Sequence, residues 1–88
     1  MPLEINERLL ELFGIFSCRG SIKEENLVIS IENDRDEYLD HVEHLMVDVF
    51  KKIPRREINF DRINFLISDK SLVIDFAELY SLSGLHHK

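Results

Sequence analysis

Few residues in this 88-residue chain have the types and spacing that support chemistry, and they are scattered. His41 and His44 stand three apart, a spacing at which two imidazoles on one helix face can share a metal, and His86 with His87 would add ligands. Their neighbours Asp40, Glu43 and Asp48 make the pair read instead as surface histidines, so no metal is expected. Cys18 is the only cysteine. Beside Arg19 at the end of an apolar helix it reads as a small packed residue, with no histidine or acid spaced to activate it, and it excludes an internal disulfide. There is no glycine-rich phosphate loop, no CxxC pair and no nucleophile elbow, and no small-molecule substrate is evident. What remains is electrostatic. Lys51, Lys52, Arg55 and Arg56 form a basic cluster, read either as a polyanion contact or as a solvated helix end complementing the helix dipole.

The elements that must position these groups follow from periodicity. Residues Ile5 to Cys18 predict a helix with polar positions Glu4, Glu7, Arg8 and Glu11 confined to one strip of about 100°. Ile5, Leu9, Leu12 and Phe16 make one apolar stripe; Leu10, Phe13, Gly14 and Ser17 make a second, about a quarter turn away. Either a small domain wraps the helix, or the second stripe meets a helix from a partner chain. A mid-helix glycine costs ~1 kcal/mol relative to alanine, which favours a packing role for Gly14. Gly20 is expected to end the helix at a positive-φ position.

Beyond it, Ser21 to Lys23, a turn at Glu24, Glu25 and Asn26, and the alternating run Leu27 to Glu32 predict a hairpin with one buried face. Asn33 and Asp34 are expected caps, with Asp34 and Glu37 as a capping box, for a helix carrying Tyr38, Val42, Leu45, Met46 and Val49 through Phe50. Pro54 closes that segment. Arg56, Ile58 and Phe60 alternate with Arg55, Glu57 and Asn59, a turn is placed at Asp61 and Arg62, and Ile63, Phe65 and Ile67 form the next strand. Ser68 is the expected cap of a last helix through Leu72, Val73, Phe76, Leu79 and Tyr80, ending near Gly84. The fold class is therefore α+β: one αββαββα domain spanning 1–88, with an antiparallel sheet and its helices on one face.

Composition sets outer limits. The charge is −6 overall, but residues 1–50 hold twelve acids against four bases, a balance of −8, while residues 51–88 hold five against seven, a balance of +2. Such an acidic total argues against non-specific coating of nucleic acid and leaves only a local basic surface for it. No apolar run approaches the ~20 residues that cross a bilayer, and the amino terminus lacks the order of a signal peptide, so a cytoplasmic location is expected. A chain this short gains roughly 3–5 kcal/mol from its own core, which makes association a reasonable expectation.

The stretch Leu12-Phe13-Gly14-Ile15-Phe16-Ser17-Cys18-Arg19-Gly20, followed by Ser21-Ile22, resembles the nine-residue motif of the LAGLIDADG homing endonuclease family. Downstream, Glu37-Tyr38-Leu39-Asp40-His41-Val42 and Asp75-Phe76 agree with it, so that the resemblance covers nearly the whole chain. It implies that two motif helices pack side by side and that the paired sheets form a saddle over double-stranded DNA. A single unit would then homodimerise, through Leu10, Phe13, Gly14 and Ser17.

The resemblance further implies that the open sheet face meets DNA, with Arg19, Lys23, Arg55, Arg56 and Arg62 as basic contacts and Ser30, Asn59 and Asn64 as base or phosphate contacts. Glu32 and Glu57 share that face and oppose phosphate. Active members of the family carry acidic residues that bind divalent metal such as Mg²⁺ where this chain has Ser17 and Arg19. A guanidinium has only donors and a fixed positive charge, so it cannot replace a carboxylate ligand, and no catalytic residue is expected. Phe13 also departs from the small residue usual at its motif position. The expectation is a non-catalytic, homodimeric, DNA-binding module. The alternatives are a protein-interaction domain that binds no nucleic acid, and an active endonuclease drawing carboxylates from Asp61, Asp69 or Glu32.

Overall fold

A computed structural model describes residues 3–32 and 36–84, so the expected caps Asn33 and Asp34 and the histidines His86 and His87 lie outside the described residues. The first helix, α1 (Glu7–Arg19), begins two residues later than expected because the Asn6 side chain accepts the Leu9 N–H at 3.0 Å and caps it. Its buried residues Leu9, Leu12, Phe13 and Phe16 form one broad inward face.

Gly20 does not take the positive φ expected of it. At φ −114° and ψ 162° it is extended and is the first residue of β1 (Gly20–Lys23). Its lack of a side chain has another cause. A Cβ there would overlap the Phe16 ring, within 2.8 Å of Cγ and Cε1, so glycine lets the chain cross directly over that ring.

β1 turns through Glu24 (φ 52°) and Glu25 (φ 72°) into β2 (Asn26–Glu32), with Asn26 paired to Lys23 as a strand residue rather than part of the turn. Two successive positive φ values are the signature of a two-residue type I′ turn. Helix α2 (Asp36–Phe50) follows, and Lys51 closes it at φ 58° with its N–H on the Val47 carbonyl at 2.8 Å.

The second hairpin joins β3 (Arg55–Asn59) to β4 (Arg62–Ile67). Asn59 pairs with Arg62, so the turn is Phe60–Asp61, one residue earlier than expected. Phe60, expected within the alternating strand, sits at φ 61° in this turn and is 94% exposed. The last helix, α3 (Lys70–Ser83), is capped by Asp69 rather than Ser68: the Asp69 carboxylate accepts the Leu72 N–H at 3.3 Å. Gly84, at φ 79°, ends it in the left-handed conformation.

The four strands form one antiparallel sheet in the order β1-β2-β4-β3. The register pairs Leu27 with Ile67, Ile29 with Phe65 and Ile31 with Ile63, and all six side chains are buried on the helix-facing side. On this layer the helices close an aromatic cluster centred on Phe76 of α3, whose ring lies 5.1 Å from Phe13, 5.2 Å from Phe16 and 5.5 Å from Phe50 between centroids. The αββαββα order and the one-sided helical layer agree with the sequence reading. No helix among the described residues is long and apolar enough to cross a membrane.

Candidate nucleic-acid interface and helix seam

Strand alternation decides which side chains share the face opposite the helices. The paired rows there are Glu32, Arg62 and Asn59; Ser30, Asn64 and Glu57; Val28, Leu66 and Arg55; and Lys23 with Asn26. Six of the expected contacts, Lys23, Ser30, Arg55, Asn59, Arg62 and Asn64, thus lie on one surface. Three cations face two carboxylates there, a slight positive balance on an acidic chain.

Arg56 is not among them. It pairs with Phe65 on the helix side, donates to Glu43 of α2 at 3.0 Å and places its guanidinium 5.2 Å from the Phe65 ring centroid. Its alternation with Arg55 puts it on the other face, so it braces α2 against the sheet instead of reaching outward. Arg19 lies at the end of α1, with its guanidinium 5.8 Å from the Tyr38 ring centroid and donating to Glu32 at 3.0 Å. Arg55 is bonded to Glu57 at 3.0 Å. Arg62 donates to the Ser30 hydroxyl at 2.8 Å and to the Ser30 carbonyl at 3.1 Å, and its guanidinium is 3.7 Å from Glu32. These carboxylate partners were missed from sequence; strand alternation placed Glu32 and Glu57 on this face but could not say which arginines they hold.

The far end of the sheet carries an open cavity of about 370 Å³ lined by Lys52, Ile53, Arg55, Leu66, Ile67, Ser68 and Asp69. Asp69 titrates below the usual carboxylate range, chiefly because the Leu72 N–H bonds its charged form, opposed by partial desolvation and assisted by Lys52.

The outer strip of α1 divides the residues expected at a partner helix. Leu10 is 49% exposed, and a Cβ at Gly14 would meet nothing within 4 Å. Ser17 is half-buried and donates its hydroxyl to the Gly14 carbonyl at 2.8 Å. Phe13 is a correction to the expected seam: it is 2% exposed, edge-on to Phe76 and to Tyr80 at 5.1 and 5.5 Å, so the chain's own α3 covers it. Beside the strip, Ile5, Leu9, Leu10, Phe13, Leu79 and Leu82 line an open apolar groove of about 230 Å³, where Leu82 is 83% exposed. Cys18, expected to be packed, is exposed and lies one turn beyond Gly14.

Oxygen ligation of a divalent metal at this helix end does not fit the residues present. Arg19 offers only donors, and the Ser17 hydroxyl, which donates to the Gly14 carbonyl, supplies a neutral oxygen in place of a carboxylate's charge. The alternative carboxylates do not converge either. Asp61 is in the β3–β4 turn, near Glu32, but Asp69 follows the opposite end of β4, roughly 20 Å along the strand at ~3.3 Å per residue. His41 bonds Glu11 of α1, and no group of three metal-ligating side chains occurs among the described residues. No protein-family model matches the chain, and comparison with curated proteins finds no match.

Proposed function

We propose that this chain is a non-catalytic homing-endonuclease-like unit that homodimerises through the outer strip of α1 and uses the open sheet face to bind double-stranded DNA. The observation that carries the reading is the uncovered Gly14 beside the exposed Leu10, which leaves a close backbone approach open to a second α1. Two such helices side by side would align two polar sheet faces. Arg19 in place of a metal-binding carboxylate supports the absence of cleavage. Light scattering together with duplex titration tests it: a protein of twice the chain mass that binds DNA, with affinity falling steeply between ~50 and ~200 mM salt, is expected. A monomer that binds no duplex at low salt would refute it.

A second reading is favoured by one observation. Arg19, Arg55 and Arg62 each already face a carboxylate, which fits a protein-interaction module that binds no nucleic acid. Flat or absent DNA binding with an intact dimer selects it.

A further inference from the structure

Arg19 and Arg62 reach for the same carboxylate. Arg19 Nη1 donates to Glu32 Oε1 at 3.0 Å, and Arg62 Nη1 stands 3.7 Å from Glu32 Oε2, one oxygen to each guanidinium. Both cations have other supports. Arg62 is fixed by its two bonds to Ser30, and Arg19 lies over the Tyr38 ring. Each therefore has one support that does not depend on Glu32. All three side chains retain contact with water, at 27% for Arg19 and 40% for Glu32 and for Arg62, so the ion pairs add little to stability. Two preset guanidiniums sharing one dioxygen anion is the arrangement by which arginines recognise phosphate.

We propose that Arg19 and Arg62 form a phosphate seat and that Glu32 occupies it as an internal anion, competing with any polyanion that approaches the open face. Where that polyanion is duplex DNA, the inference rests on the proposed function above. The carboxylate holds down non-specific affinity, because an entering phosphate must displace it or accept a neighbouring negative charge.

The test compares the wild-type protein, Glu32→Gln, and the control Glu57→Gln, which removes the same charge from the same face but faces Arg55 instead. Each is eluted from heparin and titrated with a random-sequence duplex between ~50 and ~200 mM salt. Glu32→Gln is expected to bind about tenfold tighter at the lower salt, with a salt slope steeper by about 1 to 2, and to exceed Glu57→Gln. Adding Arg62→Gln is expected to remove most of that gain. Equal behaviour of the two glutamine variants, or no gain in a folded Glu32→Gln, would overturn the seat. If Glu32→Gln does not fold, Arg62→Gln alone decides: a small loss on heparin supports a neutralised arginine, whereas a loss as large as that of Lys23→Gln refutes it. A gain on heparin without duplex binding by any variant keeps the seat and removes the DNA reading. Duplex binding by the wild type, matched by Glu32→Gln, does the reverse. Silence of every variant on both probes removes both.

Discussion

The Phe13 ring of α1 meets Phe76 of α3 edge-on, with 5.1 Å between centroids and 70° between planes. Phe76 also touches Phe16, Phe50 and Tyr80, so one fully buried side chain ties the first and last helices to α2. Phe76→Ala is expected to cost about 3–5 kcal/mol, read as a fall in the urea midpoint. A loss under about 1 kcal/mol would mean that α3 is not an integral layer of the core.

Gly14 and Gly20 are expected to respond oppositely to added side chains. Gly20→Ala drives a methyl into the Phe16 ring and should lower the melting temperature, since overpacking costs about 1–3 kcal/mol. The Cβ of Gly14→Leu has no neighbour within 4 Å and the variant gains helix propensity, so each chain should stay folded while, on the proposed dimer, the scattering mass falls to that of a monomer. Dimers of Gly14→Leu with unchanged dissociation would place the seam elsewhere.

The β1–β2 turn holds two glutamates in a conformation that costs roughly 1–2 kcal/mol for each non-glycine residue. Replacing Glu24 by Asn and Glu25 by Gly supplies the residues such turns favour. The double variant should melt at least ~4 °C higher, on the scale of 4–8 °C per kcal/mol for a domain of this size. An unchanged or lower melting temperature would exclude strain at this turn.

Asp69 gives the stability a pH dependence of definite sign. Its carboxyl is more acidic folded than unfolded, so its contribution is present above the unfolded value of about 3.9 and is lost as pH falls through the lower folded value. Asp69→Asn keeps a capping side chain without the titration. Its melting temperature should fall less steeply than that of the wild type below about pH 4; parallel curves would contradict the assignment.

Arg19 at the end of α1 leads to a chemical prediction. Incubation of the protein with supercoiled plasmid and Mg²⁺ or Mn²⁺ should leave the plasmid intact. Specific nicking that disappears on Glu32→Gln or Asp61→Asn would restore the endonuclease alternative.

The sequence carried the element order because each period was clear: the alternation of Leu27, Ile29 and Ile31, and the helical recurrence of Leu45, Met46 and Val49, match the buried faces. It placed Phe60 wrongly because an aromatic in an alternating run reads as a strand residue, and only the Asn59 to Arg62 pairing moves the turn. It counted Phe13 toward a seam because nothing local reveals that Phe76 and Tyr80 arrive from more than sixty residues away to cover it. For Arg56, charge argues for the outer face, but its alternation with Arg55 points inward, and its pairing with Phe65 follows the alternation. The carboxylate partners of Arg19 and Arg62 depend on side-chain reach between elements, which spacing alone does not encode.

Helix α1 ends at Arg19 and β1 begins at Gly20, with no residue between them to absorb a bend. The Phe16 ring lies directly against that junction, where only a glycine leaves it room. The helix that carries Leu10 and the edge strand that carries Lys23 thus share a single covalent junction, held on one side by the pairing of β1 with β2.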